Sequence, residues 1–168
     1  YSRSELADVI REYHNRGIRS FLALRGDPPR DNPNWKPSPD QAKNAREVVE
    51  IIKKTVSDAS VGVAGYPEVH PEAVSAEKDL VYLNERVAAG AAFVITQMFF
   101  NNDVYFAFSD KARRAGIKIP IMPGLMPITR AGQVERFQTM CKVVVPPSLV
   151  ESLDTDNDNV GVREIGVS

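Results

Sequence analysis

The sequence is short of most residues that build special-purpose proteins. Among its 168 residues there is one cysteine, Cys141, one tryptophan and two histidines. A single thiol closes no intrachain disulfide and builds no thiolate metal site by itself. Neither charge sign is in excess: 21 Lys+Arg face 22 Asp+Glu, for a formal net charge of −1. That balance lacks the basic surplus that neutralising nucleic-acid phosphates requires. With 43% apolar residues the composition also lacks the polarity of disordered chains. No apolar run approaches the roughly 18–20 residues that span a bilayer, and the opening YSRSELADVIREYHNRG holds no apolar signal core. The expectation is a soluble, cytoplasmic protein that engages neither membrane nor nucleic acid. Two further absences bear on chemistry: neither G-x-G-x-x-G nor G-x-x-x-x-G-K-[ST] occurs, which argues against a nucleotide-binding doubly wound sheet.

What is present is a repeat of architecture. Three helical patterns end in glycine and run at once into a short apolar stretch: NRG-IRSFLAL, AAG-AAFVIT and RAG-IKIPIM. Gly17, Gly90 and Gly116 thus sit where a helix ends in a left-handed residue. A fourth run, Val61 to Tyr66, follows Ser57-Asp58. Such nearly continuous apolar runs read as strands of a parallel sheet covered on both faces. Between them lie helical stripes. Leu6, Val9, Ile10 and Tyr13 follow a cap at Ser2 or Ser4. Val48, Val49, Ile52 and Val56 follow a cap predicted at Asp40. Leu80, Leu83 and Val87 follow Ser75; Tyr105, Phe108 and Ala112 form a fourth stripe; and Val134, Phe137 and Cys141 form a fifth, opened by Thr129. Strict alternation predicts an α/β fold with parallel strands and right-handed crossovers.

Polar residues follow every predicted strand, at Arg25-Gly26-Asp27, Tyr66 to Glu72, Thr96-Gln97 and Pro123 to Pro127. That is the habit of a (β/α)₈ barrel, which takes about 250 residues. The reading is therefore a partial TIM barrel, residues 1–168 forming one incomplete domain. Residues 28–40 hold five of the twelve prolines and read as a long loop, and the acidic stretch from Ser152 as a tail.

Three segments carry candidate chemistry. Arg25-Gly26-Asp27 offers a guanidinium for a phosphate and a carboxylate that sets local charge, or else a structural ion pair at a strand end. In Gly65-Tyr66-Pro67-Glu68-Val69-His70-Pro71-Glu72, prolines stiffen a backbone dense in polar groups. Glu68, His70 and Glu72 there suggest either a metal site of a barrel hydrolase or aldolase, or a polar wall for an organic ligand. Gln97 is an amide that donates and accepts at once, suited to a planar heterocycle or to a structural role. Phe99, Phe100 and Phe137 read as core.

LALRGDPP (22–29), AGYPEVHPEA (64–73), DLVYLNERVAAGAAFVITQMFF (79–100) and PIMPGLMPI (120–128) together resemble the methylenetetrahydrofolate reductase family. The resemblance implies a (β/α)₈ barrel with FAD at the C-terminal ends of its strands, and it identifies the four strands as the fourth to seventh. It implies flavin contacts at Arg25, Gly26, Asp27, Tyr66, His70 and Ala73, a nucleotide-side contact at Asp79, and Arg86 facing the phosphates. It assigns folate to Asp27, Gln97, Gln133 and Phe137, Gln97 also serving nicotinamide, with Asp27 the catalytic carboxylate and no metal. Tyr82 and Glu85 depart from the family pattern. The implied reaction is ping-pong: NADH or NADPH reduces FAD, and 5,10-methylenetetrahydrofolate then takes the hydride and becomes 5-methyltetrahydrofolate, in one-carbon and methionine metabolism. A carboxylate such as Asp27 would stabilise the cationic iminium of the opened folate. The family's acid, a first-strand Glu, has no counterpart here, so these 168 residues alone are expected to be inactive, and the full-length protein to be a homo-oligomer.

Overall fold

The computed structural model describes residues 1–26, 31–32, 34–128 and 132–154. Asp27 and Thr129 lie outside the described residues. The elements alternate as α1 (Arg3–Asn15), β1 (Ser20–Ala23), α2 (Ala45–Thr55), β2 (Ser60–Gly65), α3 (Ala76–Ala88), β3 (Phe93–Met98), α4 (Asn102–Arg114), β4 (Ile121–Gly124), α5 (Gln133–Arg136) and α6 (Pro147–Asp154), with a π-helical turn at Phe137–Cys141 between the last two.

Local signals place most of these elements. Ser2 caps α1 in a capping box with Glu5, and Ser75 caps α3 by accepting from the Lys78 N–H. Gly17, Gly90 and Gly116 take the expected positive φ just past α1, α3 and α4. The cap of α2 is Asn44, whose Oδ1 accepts from the Glu47 N–H, and not Asp40. Asp40 is engaged earlier, accepting from the Ser38 hydroxyl, and its carbonyl accepts from the Arg3 N–H. The expected fifth helix is a short α5 that widens into the π-helical turn, and α6, which the sequence reading did not anticipate, runs to Asp154, into the first residues of the stretch read as a tail.

All strand pairs are parallel, and the spatial order is β1-β2-β3-β4. A doubly wound sheet reverses its order at a switch point. Here each strand lies beside its predecessor, as in a (β/α)₈ barrel, so the sheet is four successive units of a partial TIM barrel.

Register explains burial. Ala23, Val63, Val94 and Ile121 form one lateral row facing the helices, and the first three are fully buried. With Val49, Ile52, Leu83, Phe108, Ala112 and Ile117 they make the main core. The alternate rows, Leu22–Gly62–Phe93 and Ala64–Ile95–Met122, face the other way. The Phe93 ring fills the space over Gly62, where a Cβ would come within 2.3 Å of it. That face is not covered: Leu22 is 47% and Met122 41% exposed, against the expectation of strands buried on both sides. The apolar runs arise because both faces of a barrel strand are apolar, helix side and lumen side, and here only the helix side is packed. A second cluster, Ile128, Val134, Phe137, Val143, Val145 and Leu153, packs with Met98 and Phe100 beyond the C-terminal ends of β3 and β4. No helix among the described residues is long and apolar enough to cross a membrane.

Candidate active site

The C-terminal ends of β1 and β2 open into a cavity of about 430 Å³. Its walls come from three βα connections. From the first comes Arg25, just past β1. Its guanidinium grips Glu72 with two parallel bonds, Nη1–Oε2 at 2.5 Å and Nη2–Oε1 at 2.9 Å. Arg25 holds the Glu72 carboxyl below its ordinary range, the hydrogen bonds acting ahead of the charge and against partial burial.

The second wall is the loop after β2. Pro67 fixes its entry, and the Val69 N–H closes a turn onto the Tyr66 carbonyl at 3.1 Å. Val69 sits at φ 76°, a left-handed conformation that a β-branched residue adopts only when its surroundings impose it. Next to it, the His70 N–H donates to Asp79 Oδ2 at 3.0 Å, and His70 Nδ1 accepts from the Glu72 N–H at 3.0 Å. The second bond leaves the proton of the neutral ring on Nε2. The ring stands edge-on to Tyr66, centroids 4.5 Å apart, and the Ala73 N–H returns to the His70 carbonyl.

The third wall is the inner side of α3. Asp79 is 7% exposed, one of the few buried polar groups of the main layer. Two turns on, Arg86 is half-buried, and its Nε is buried and lacks any hydrogen-bond partner. Burial pushes the guanidinium below its ordinary value, while the negative charges of Asp79 and Glu85 work against that shift. A cation with a buried, orphaned donor at a cavity wall is costly unless an anionic group completes it. The site therefore fits a phosphate-bearing cofactor on its donor chemistry.

Of the residues the family resemblance assigns to FAD, Arg25, Tyr66, His70, Ala73, Asp79 and Arg86 all line this one cavity. Gly26 is adjacent in sequence but not in the wall, and Asp27 lies outside the described residues. The residues assigned to folate stand elsewhere. Gln97 closes β3 at an irregularity: Ile95 pairs with Met122 but Met98 with Gly124, so β3 carries one extra residue there. Such bulges turn a side chain away from strict alternation. Gln97 Oε1 accepts from the Met98 N–H, and Thr96 Oγ1 accepts from the Gly124 N–H at 2.9 Å. Gln133 opens α5, and Phe137 is buried in the second cluster, stacked on Phe100 with centroids 6.0 Å apart.

The metal reading of Glu68, His70 and Glu72 is not favoured. Glu68 accepts from the Val144 N–H, His70 Nδ1 from Glu72, and the Glu72 carboxylate is held by Arg25, so the three groups are committed in different directions. No cluster of three metal-ligating side chains occurs among the described residues. Sequence reasoning missed the part played by α2, whose cap Asn44 and first residues Ala45 and Arg46 face the cavity together with Tyr82 and Glu85. The available signal was topological: every βα unit brings the N-terminus of its helix to the same end of the sheet as the strand's C-terminus.

Known proteins identify the family and share the fold. The model of the family described as methylenetetrahydrofolate reductase matches residues 1–168. The chain is 39% identical over 168 residues to 5,10-methylenetetrahydrofolate reductase of Pectobacterium carotovorum subsp. carotovorum, covering 99% of this chain and 54% of that one. It is 38% identical over 170 residues to methylenetetrahydrofolate reductase 2 of Saccharomyces cerevisiae, covering 98% of this chain and 28% of that protein. The chain thus spans about half the length of the bacterial relative and less of the yeast one. A solved structure of an uncharacterized protein from Clostridium thermocellum, described as binding two copies of 5-methyl-5,6,7,8-tetrahydrofolic acid, superposes with a TM-score of 0.60 at 15% identity, covering 98% of this chain and 55% of that one, and shares its fold. With the family model matching from end to end, the chain belongs to the methylenetetrahydrofolate reductase family.

Proposed function

We propose that the full-length protein reduces 5,10-methylenetetrahydrofolate to 5-methyltetrahydrofolate with NADH or NADPH, using FAD held at the ends of β1 and β2, and that residues 1–168 are part of its catalytic barrel. The observation that carries this reading is the cavity in which Arg25, Tyr66, His70, Ala73, Asp79 and Arg86 meet around the unpartnered Arg86 Nε. FAD, when bound, supplies the hydride relay that protein side chains lack. Arg86 would face its phosphates, and the N-terminus of α2 adds backbone N–H groups of the same electrostatic sign, while Arg25, paired with Glu72, would stand beside the flavin. Asp79 holds the His70 backbone in place from below, so Tyr66 and His70 stand as a stiff wall. Asp27, next to this wall in sequence through Arg25 and Gly26, would keep a negative charge beside the iminium of the folate substrate. Gln97 offers one donor and one acceptor and serves nicotinamide and pterin in turn, because an amide can rotate.

The test is to purify the full-length protein, identify the released cofactor chromatographically, and follow NADH and NADPH oxidation with and without methylenetetrahydrofolate. The expected result is bound FAD and folate-dependent oxidation that survives a chelator. A flavin-free protein whose activity disappears with chelation would return the metal reading and overturn this one.

A further inference from the structure

We infer that Glu68 is a positioning residue that ties the flavin-side loop to the folate-side segment, so that occupation of the cavity stiffens the second cluster. This rests on the proposed function for the identity of the two ligands. The carboxylate Oε2 of Glu68 accepts from the Val144 N–H at 2.9 Å, across 76 positions of sequence. Both ends of this bond are held in place by their surroundings. On one side, Glu68 lies between Pro67 and the left-handed Val69. The next residue, His70, is pinned to Asp79 by its N–H and to Tyr66 by its ring. On the other side, Val144 is exposed, but Val143 and Val145 are both buried in the second cluster, which fixes where the N–H between them points. The same cluster contains Phe137 and packs against Met98 and Phe100, which flank the exit of β3 beyond Gln97.

One carboxylate thus joins the connection after β2 to the segment after β4, passing over the end of β3. A side chain that merely stabilised the loop would bond within it, as the His70 ring does by accepting from the Glu72 N–H. Glu68 instead reaches outward. When a cofactor orders Tyr66 and His70, the tether passes that order to Val144 and to the helix segment bearing Phe137, at the cost of a single rotamer.

The experiment uses the full-length protein with Glu68 intact, as Glu68→Gln, and as Glu68→Ala. Hydrogen exchange at residues 137–145 is measured with and without FAD, FAD affinity by flavin fluorescence, and KM and kcat in steady state. Without FAD, the Val144 amide should exchange about fivefold faster in Glu68→Ala than in the parent, the factor a single net hydrogen bond is worth. Added FAD should slow exchange across 137–145 in the parent and in Glu68→Gln, whose amide oxygen still accepts, but not in Glu68→Ala, with FAD affinity within about twofold throughout. KM for methylenetetrahydrofolate should rise about three- to tenfold in Glu68→Ala while KM for the nicotinamide nucleotide stays put, and Glu68→Gln should recover most of it. Equal protection of 137–145 in the parent and Glu68→Ala would overturn the inference. So would a uniform loss of protection and FAD binding that Gln does not rescue. A parent that binds no FAD would overturn the proposed function, while the FAD-free comparison at Val144 would still decide whether the tether exists.

Discussion

Replacing Gly124 with alanine should damage both the sheet and the folate side of the site, and the structure says by how much. A Cβ on Gly124 would sit 2.0 Å from the Thr96 carbonyl oxygen and 3.1 Å from its carbon, with the Gln97 carbonyl carbon at 3.5 Å. Non-bonded heavy atoms rest at about 3.5 Å, so β3 and β4 would have to part by about 1 Å or more. No flexible side chain can give way, because the obstacle is backbone. Overpacking of this kind costs about 1–3 kcal/mol. Parting the strands also strains the bond from the Gly124 N–H to Thr96 Oγ1, on a residue only 5% exposed, for about 1 kcal/mol more. The sum is about 3 kcal/mol. Because the clash falls on the extra residue that aims Gln97, KM for methylenetetrahydrofolate should rise along with the loss of stability. The assay is urea unfolding of the full-length variant with steady-state kinetics below the transition. Gly116→Ala is the control: its φ is +89° but nothing lies within 4 Å of the new Cβ, so it should cost only about 1–2 kcal/mol of backbone strain and leave KM alone. If Gly124→Ala proved milder than Gly116→Ala, or left folate KM untouched, the account of the β3–β4 junction would be wrong.

Other perturbations separate cofactor binding from stability. Arg86→Met removes a half-buried cation whose buried Nε is unbonded, so cofactor-free stability should be unchanged or higher by about 1 kcal/mol, while FAD affinity falls about tenfold or more, read by thermal unfolding and flavin fluorescence. Weaker stability with unchanged FAD affinity would show that Arg86 is structural. Gln97→Glu changes charge with little change in size, and folate turnover should suffer more than oxidation of the nicotinamide nucleotide by an artificial acceptor; equal, negligible effects would leave Gln97 a structural amide. The Glu72 carboxyl is held down in the folded state, so its pairing with Arg25 contributes above the unfolded value of about 4.3 and is lost as pH falls through the lower folded value. Glu72→Gln should therefore cost under about 1 kcal/mol at neutral pH, the pair being largely exposed, and the difference from the parent should close progressively in acid urea titrations below about pH 4. A gap that persisted at low pH would mean the carboxylate is not the source.

The fold was legible because its signals are local and repeated. The Ser2 and Ser75 caps, the glycines past α1, α3 and α4, and the four apolar runs each specify an element boundary without reference to the rest of the chain. The Asn44 cap was hidden by a proline-rich neighbourhood, where Asp40 is an equally good capping residue by type and only the path of the chain decides between them. The π-helical turn is similarly invisible, since Phe137 and Cys141 keep helical spacing on either reading. At the site, the polar loop after β2 was evident from its density. What spacing could not show was partnership: that Glu72 belongs to Arg25 and Glu68 to Val144 depends on contacts across 47 and 76 positions. The burial of Asp79 was hidden for the same reason, because a carboxylate in a first helical turn usually serves the helix end and faces water.

The sequential order of the strands has a consequence for how the protein comes to exist in a cell. Since each strand docks beside the one made just before it, the sheet can grow one unit at a time behind the ribosome, with little chain entropy lost at each step. The cost of that ease is that the nascent sheet always has a newest strand with unpaired backbone groups, next to a lumen face whose Leu22 and Met122 have nothing to cover them. Growth is therefore cheap while ring closure is the slow, long-range event, and the open intermediate is exposed to other chains for the whole interval. The yield of such a protein is set by a race between closure and association, and residues that never touch a substrate take part in deciding it.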